Sequence, residues 1–298
     1  MKTVALLPAG SVSDEAAKLF FQDEQINYRY HRMISDVFLS TVNEISQYSV
    51  IPIENTIDGS VSLHLDWLVH EVDLPIQAEW IYPSNQNLIG RRDEVLNEYG
   101  EIDYSRIKKI ISHPVAMSQC LNFIREYMPH AETEHVSSTA ESVRIVRDLS
   151  EEGVFAIGTK TAAANNGLDV IVESVTDHKN NYTRFFLVGS EPYQGTETGQ
   201  MRTSILVTLP EDYPGALHQV LSAFAWRKIN LSRIESRPTK KKLGSYYFYI
   251  EIKYSLNELL LQMAIKEIES IGCHVRVLGC YPSFTYDQLL AKQHVSNT

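Results

Sequence analysis

The chain has 298 residues, which at roughly 150 residues per domain indicates about two domains. It carries 27 lysines and arginines against 37 aspartates and glutamates, a net charge of −10. With 44% hydrophobic and 21% charged residues, the composition is that of a folded protein rather than a disordered chain. We expect neither nucleic acid nor a membrane as partner, so an anionic ligand would need a locally positive pocket.

The sequence lacks targeting, membrane and metal-binding patterns. No apolar run approaches the roughly 18 residues of a spanning helix, and the apolar residues 4–7 end at Pro8, too short for a signal peptide. Three cysteines without a C-x-x-C pair fit reduced thiols, and the scattered histidines have no metal-ligand spacing. We therefore expect a cytoplasmic protein with neither a metal nor a cofactor.

The first 190 residues alternate short apolar runs with helical patterns. Strands are predicted at residues 3–7, 48–52, 76–82, 107–112, 154–157 and 184–188. Helices are predicted at about residues 13–21, at 116–127, from the capping box of Ser138 and Glu141 to about 149, and from about 159. This alternation predicts an α/β domain with largely parallel strands over residues 1–192.

The remaining chain has a different order of predicted strands and helices. Residues 193–202 are polar, carry glycine and lack periodicity, which predicts a linker. After it, strands are predicted at residues 203–209, 230–236, 246–252 and about 275–277, with helices beginning at Pro214 and at Ser255 and a hairpin turn at 239–244. The order βαββαβ predicts a ferredoxin-like domain at 203–280, followed by a mobile tail at 281–298.

Short hydroxyl residues recur where predicted strands give way to helices, as at Ser11, Ser112 and Thr139. Helix N-termini carry unpaired N–H groups and a partial positive charge, so several of them around one cleft would bind a multiply anionic small molecule. Serine and threonine are also the preferred N-cap residues. Each junction taken alone therefore favours a purely structural interpretation.

Two motifs indicate a ligand-binding site more specifically than these hydroxyl residues do. Residues 53–61 end a buried strand with a polar loop, where Glu54 and Asn55 offer an acceptor and an amide donor at a strand end. Residues 181–185 place the hydroxyl of Thr183, the cation of Arg184 and the ring of Phe185 at the start of a strand. An arginine in this position can hold a carboxylate through two parallel hydrogen bonds.

Taken in order, these motifs resemble the prephenate dehydratase family over nearly the whole chain. The matching pieces are P-A-G-S-V-S from Pro8, E-N-T-I-D-G-S-V from Glu54, S-H-P-V-A-M-S-Q-C from Ser112, S-T-A from Ser138 and N-Y-T-R-F from Asn181. The sequence departs from the family's usual glycine, aromatic and tyrosine at Leu7, Val12 and Asn166. These departures affect the expected edge of the cleft and leave the central motifs intact.

The resemblance implies a two-lobed, periplasmic-binding-protein-like (type II) catalytic domain with its substrate in the cleft. The lobes are expected at about residues 1–80 plus 175–190, and at 81–174. The implied reaction converts prephenate to phenylpyruvate, water and carbon dioxide in L-phenylalanine biosynthesis. Because aromatisation drives the reaction, no redox cofactor is expected.

The resemblance also assigns roles to residues. Thr183 takes the leaving-hydroxyl role, which we interpret as that of a positioned donor, and Arg184 anchors a carboxylate. Family positions implicated in catalysis or binding are matched by Asn55, Ser112 and Gln119. Weaker candidates for substrate contact are Ser11, Glu54, Thr139 and Phe185. Structural roles remain open for several of these positions and their neighbours: a helix cap at Gln119, a loop brace at Glu54, a structural ring at His113 and a core thiol at Cys120.

Residues 203–280 resemble an ACT domain, an amino-acid-sensing module usually fused to these enzymes. The resemblance implies that L-phenylalanine binds between paired ACT domains and inhibits the enzyme. It also implies a homodimer or homotetramer formed through the ACT and catalytic domains. The candidate effector-binding residues are Gly215, Ala216, Leu217, Asn230, Leu231, Glu235, Ser236, Arg237 and Pro238. A structural role in tight packing or in shaping a strand end stays open for Gly215 and for Arg237 with Pro238.

Two other functions stay open from the sequence, and two more are disfavoured. An arogenate dehydratase acts on a substrate that differs from prephenate only in its side-chain amino group. The sequence does not distinguish this activity from prephenate dehydration. A non-catalytic cytoplasmic solute-binding sensor would share the fold, since fold does not imply function. A dehydrogenase is disfavoured because no G-x-G-x-x-G follows a strand. A fused chorismate mutase is not expected, because no helical domain precedes the first motif.

Overall fold

A computed structural model of the chain describes residues 1–22, 24–194, 199–211, 213–240 and 246–296, without the side chains of 292–296. The strands are β1 (Lys2–Leu6), β2 (Ile26–Tyr30), β3 (Tyr48–Asn55), β4 (Gly59–Ser60), β5 (Ile76–Pro83), β6 (Asn87–Gly90), β7 (Lys109–Ser112), β8 (Glu132–His135), β9 (Val154–Gly158), β10 (Asp169–Val172), β11 (Tyr182–Val188), β12 (Gln200–Thr208), β13 (Leu231–Pro238), β14 (Tyr246–Ile252) and β15 (His274–Phe284). The helices are α1 (Val12–Phe20), α2 (Ile34–Val42), α3 (Ser62–Asp66), α4 (Arg92–Val95), α5 (Pro114–Ser118), α6 (Leu121–Tyr127), α7 (Thr139–Asp148), α8 (Lys160–Asn166), α9 (Ala216–Ala225), α10 (Leu259–Ser270) and α11 (Tyr286–Ser296), with a π-helical turn at Trp67–Glu71 and a 3-10 turn at Tyr104–Arg106.

The chain divides into two compact units. The first contains Met1–His64, Ile81–Phe185 and the C-terminal residues from Tyr286, and the second contains Leu65–Trp80 and Phe186–Thr285. Leu65–Trp80, expected in the first lobe, thus belongs to the same unit as the C-terminal domain. No helix of the described residues is long and apolar enough to cross a membrane.

The first unit contains two groups of strands. In one, β1 pairs in parallel with β2 and β3, and β11 lies on the far side of β3. In the other, the order is β10-β6-β9-β7-β8, with β7 parallel to both of its neighbours and β6 antiparallel to both of its own. Strand β9 is a continuous apolar run because both of its faces are buried. The predicted α/β class is confirmed.

The second unit contains the predicted βαββαβ order, with strands arranged β13-β14-β12-β15. Helices α9 and α10 pack through Val220, Phe224 and Ile268 onto apolar residues of β12 and β14 such as Val207 and Ile250. An amphipathic helix buries its stripe against one face of a sheet in this way.

Two sequence boundaries differ from the structure. The last strand continues past Cys280 to Phe284, where it pairs in parallel with β5, and α11 follows, so the mobile tail predicted from Tyr281 is wrong for these described residues. Strand β12 begins at Gln200, inside the predicted linker. The centre of that linker, 195–198, and most of the predicted turn at 239–244 lie outside the described residues.

Candidate active site

The hydroxyl of Thr183, near the start of β11, lies among buried hydroxyls and amides. The side-chain nitrogen Nδ2 of Asn55, at the end of β3, is 3.1 Å from Thr183 Oγ1. The hydroxyl oxygen of Ser84 is 2.5 Å from the same atom. Thr183 is 9% exposed, so its hydroxyl is mostly shielded from water while the residue keeps a small accessible surface.

The loop after β3 fixes the orientation of the Asn55 amide. Its oxygen Oδ1 accepts from the backbone N–H of Ile57 at 2.9 Å and of Asp58 at 3.1 Å. Asparagine commonly closes turns through such contacts. Because two N–H groups must face an oxygen, the nitrogen of the amide is the atom that faces Thr183. Asn55 is therefore a donor to the threonine hydroxyl.

Asn181 connects the Thr183 region to the helix that follows β7. Its Oδ1 accepts from Asn55 Nδ2 at 2.8 Å, and its Nδ2 donates to Gln119 Oε1 at 2.8 Å and to the carbonyl of Ser84 at 3.0 Å. Gln119 Nε2 in turn donates to a carboxylate oxygen of Asp58 at 2.5 Å. The structure thus brings together three predicted site residues, Asn55, Gln119 and Thr183.

Arg184 and Glu54 form an ion pair beside this group. A guanidinium nitrogen of Arg184 lies 2.8 Å from Glu54 Oε2. Arg184 is 8% exposed, whereas the Glu54 side chain is 40% exposed. Glu54 therefore contacts the cation expected to bind a carboxylate, which agrees with its alternative role as a brace.

Two predicted residues lie elsewhere. Phe185 is fully buried, so the structure places its ring in the core rather than against a substrate. Ser112 is also fully buried, and its hydroxyl donates to the carbonyl of Ile157 at 2.8 Å. Its hydrogen bond ties β7 to β9 and does not reach Thr183.

Several of the hydroxyl residues at strand-to-helix junctions are helix caps. Ser11 accepts from the backbone N–H of Asp14 at 3.3 Å, and Thr159 accepts from that of Ala162 at 3.0 Å. Thr139, predicted as a cleft residue, begins α7 behind the capping residue Ser138. The N-cap interpretation therefore holds for Ser11, Ser138 and Thr159, whose side chains accept from helix N–H groups.

Two of these junctions nevertheless approach each other closely. The hydroxyl of Thr159 donates to the carbonyl of Gly10 at 2.6 Å. Gly10 has φ +78°, and a Cβ there would lie 3.0 Å from the Cα of Ala162. A glycine is required here both by the left-handed backbone and by the close approach of α8.

His113 has a structural role at the start of α5. Its Nδ1 accepts from the backbone N–H of Val115 at 3.3 Å. Burial, and secondarily the nearby His135, hold the pKa of this imidazole below its ordinary value of 6.5. A ring held neutral as a cap acceptor is poorly suited to act as a general acid.

The effector-binding candidates fall into two groups within the second unit. Gly215 has φ +94° and precedes α9, which begins with Ala216 and Leu217. On β13, Arg237 donates to Glu235 Oε1 at 3.1 Å and, through Nε, to Asp66 Oδ1 at 3.0 Å. The charged side chains of Glu235 and Arg237 are thus held by intramolecular contacts. The remaining candidates, Asn230, Leu231, Ser236 and Pro238, lie along or just before β13 and are half-buried or exposed.

Three contributors to the hydrogen-bonded group around Thr183, namely Ser84, Asp58 and Asn181, are missed by sequence reasoning. Ser84 lies between β5 and β6, outside every motif, and 99 residues of chain separate it from Thr183. Asp58 and Asn181 belong to recognised motifs, but the sequence assigns neither of them a role. An acidic residue in a glycine-bearing loop at a strand end is a signal that could have singled out Asp58.

Comparison with known proteins agrees with this architecture. A prephenate dehydratase family profile matches residues 4–193, and an ACT-domain profile matches residues 203–268. The prephenate dehydratase of Bacillus subtilis is 34% identical over 95% of this chain and 99% of its own length. That of Methanocaldococcus jannaschii is 39% identical over 93% of this chain and 97% of its own length.

A solved structure extends the likeness to the fold. The crystal structure of prephenate dehydratase from Arthrobacter aurescens in complex with L-Phe has 30% identity and a TM-score of 0.81, covering 98% of this chain and 97% of that one. The chain thus contains a periplasmic-binding-protein-like (type II) α/β catalytic domain and, C-terminally, a ferredoxin-like ACT domain. The chain belongs to the prephenate dehydratase family.

Proposed function

We propose that the protein converts prephenate to phenylpyruvate, water and carbon dioxide, as a step of L-phenylalanine biosynthesis. The observation that carries this proposal is the Thr183 hydroxyl, held by Asn55 and facing Ser84 in a shielded polar group. Membership of the family and the order of its motifs support the same reaction.

The reaction needs assistance at one atom above all. The electron pair of the breaking bond to the ring carboxylate moves into the ring, carbon dioxide departs, and the ring hydroxyl leaves and takes up a proton to become water. Threonine is a weak acid, so Thr183 acts as a hydrogen-bond donor that stabilises the departing oxygen, and the proton consumed comes ultimately from solvent. A preorganised donor in a poorly hydrated site is more effective than one in water.

The substrate carboxylates need a positive partner within an acidic protein. Arg184 is the candidate because it lies near the start of β11 and is mostly buried. A guanidinium carries five N–H donors, so the pairing with Glu54 is compatible with a second carboxylate. Arg184→Lys would keep the charge but lose the planar fork, and we expect it to raise KM more than it lowers kcat.

L-phenylalanine is the proposed feedback inhibitor, acting through the ACT domain. The ACT match at residues 203–268 and the Arthrobacter relative crystallised with L-Phe support this assignment. We further propose a cytoplasmic homodimer or homotetramer that pairs through the ACT and catalytic domains.

One assay separates the candidate activities. Purified protein is incubated with prephenate, and separately with arogenate, while phenylpyruvate and phenylalanine are measured. We expect a higher kcat/KM for prephenate. A higher value for arogenate would reassign the substrate, and saturable binding of prephenate without turnover of either compound would indicate a solute-binding sensor.

A further inference from the structure

We infer that Ser84 is a positioning residue for this reaction: its hydroxyl donates to Thr183 Oγ1 and so directs the threonine proton toward the departing hydroxyl of the substrate. The inference rests on the proposed function and adds a residue that lies outside the family motifs. It rests on the hydrogen-bonding capacity of Thr183 and of its two side-chain neighbours, Asn55 and Ser84.

A threonine hydroxyl has one proton and two acceptor positions. One acceptor position faces Asn55 Nδ2 at 3.1 Å, a contact in which Asn55 can only donate. The other polar neighbour is the Ser84 hydroxyl at 2.5 Å. When Ser84 donates, both acceptor positions of Thr183 are occupied. Its proton is then available to a third group, and we assign that place to the departing hydroxyl of the substrate.

The backbone holds Ser84 in this position independently of its hydroxyl. The N–H of Ser84 donates to the carbonyl of Asn181 at 2.8 Å, and the carbonyl of Ser84 accepts from Asn181 Nδ2 at 3.0 Å. Ser84 is 4% exposed, so water competes little for its hydroxyl. Removing one oxygen from this residue therefore leaves its two backbone contacts in place.

The expected effect falls on the transition state. Two hydrogen bonds donated to Thr183 Oγ1 gain strength as the threonine proton shifts toward the leaving oxygen and negative charge grows on Oγ1. Interactions that strengthen only in the transition state change kcat rather than KM. We expect Ser84→Ala to lower kcat by about 10- to 100-fold and to leave KM within about threefold.

The test is a double-mutant cycle on the full chain with prephenate as substrate. Ser84→Ala is made in the wild type and in Thr183→Ala, and kcat, KM and the melting temperature are measured for each. Because Ser84 acts through Thr183, we expect the loss in the wild type and a change of less than about twofold in the Thr183→Ala background. Ser46→Ala is the matched control. The hydroxyls of Ser46 and Ser40 form a buried pair 2.9 Å apart in the same unit, and this substitution removes one of them. We expect Ser46→Ala to keep the wild-type kcat.

The outcomes separate the two proposals. An active wild type whose kcat is unchanged by Ser84→Ala would overturn the role of Ser84 alone. An equal loss in both backgrounds would also overturn it, because Ser84 would then act independently of Thr183. A well-folded wild type that does not turn over prephenate would overturn the proposed function and this inference with it.

Discussion

The side-chain amide of Asn181 donates to Gln119 Oε1 at 2.8 Å, and this contact joins two motifs 62 residues apart. Asn181 immediately precedes β11, and Gln119 ends α5, which follows β7 of the other group of strands. From Gln119 the chain of hydrogen bonds continues to Asp58. The hydrogen-bonded group around Thr183 is thus tied to both groups of strands of the first unit through the amides of Asn181 and Gln119.

The direction of the hydrogen bond between Gln119 and Asp58 gives a first prediction. Gln119→Glu would keep an acceptor for Asn181 but set a second carboxylate against Asp58, and like charges in contact repel. We expect kcat/KM to fall by on the order of 100-fold at neutral pH. Adding Asp58→Asn to this variant should raise kcat/KM at least tenfold above that of Gln119→Glu alone, because the asparagine amide can donate to the glutamate carboxylate.

Steady-state kinetics of both single variants and the double variant check this prediction. Asp58→Asn alone serves as the control for loss of the loop charge. If the double variant were no more active than Gln119→Glu, the contact between these two side chains would not explain the role of Gln119.

A second prediction concerns the nitrogen of Asn55. Asn55→Asp keeps an oxygen for the backbone N–H groups of Ile57 and Asp58 but places a carboxylate oxygen, in place of a donor, against Thr183. We expect a loss in kcat of about 100-fold or more, with the loop still closed. The measurement is kcat with prephenate together with the melting temperature. A wild-type kcat in a stable Asn55→Asp variant would contradict the donor role.

The cap at His113 makes stability depend on pH. Burial lowers the pKa of His113 in the folded state below its ordinary value of 6.5. As the pH falls through 6.5, this imidazole therefore takes up a proton more readily in the unfolded chain than in the folded one. The free energy of unfolding should therefore fall as pH decreases from about 7.5 to 5. His113→Asn keeps a capping acceptor without this titration, and we expect a shallower dependence.

Urea unfolding of both proteins across that pH range provides the measurement. His64, whose pKa is also lowered by burial, remains in both proteins and contributes equally. An NMR titration that placed the pKa of His113 above 6.5 would contradict the structural role.

The ACT domain gives a prediction about binding. If L-phenylalanine inhibits by favouring a conformation that binds substrate poorly, linkage requires that substrate and effector weaken each other equally. We expect saturating L-phenylalanine to raise the Kd of a non-reacting prephenate analogue by at least about fivefold. Calorimetry with L-alanine in place of L-phenylalanine controls for non-specific effects. An unchanged analogue Kd would contradict inhibition through binding.

The parts of the fold that the sequence predicted are those with strong periodic patterns. The βαββαβ order followed from alternating apolar residues in strands such as β14 and from the apolar stripe of α10. Strands β2 and β8 were missed because most or all of their side chains are exposed at sheet edges, so no apolar pattern marks them. Helix α11 was missed because its sequence is polar, although Leu289 is fully buried.

The candidate site was predictable only where its residues belong to motifs. Asn55, Gln119 and Thr183 lie in or next to polar segments that follow or begin strands, a placement that indicates ligand binding. Ser84 has no such local signal, because its relation to Thr183 exists only after the chain between them has folded. Phe185 shows the converse, since a residue inside a motif points into the core.

The most direct test of the central claim is phenylpyruvate formation from prephenate by the wild type and by Thr183→Ala. Without the threonine hydroxyl, the leaving oxygen loses its positioned donor. We predict a kcat lower by about 100- to 10,000-fold, with a melting temperature within a few degrees of the wild type. A folded Thr183→Ala protein with the kcat of the wild type would contradict the account.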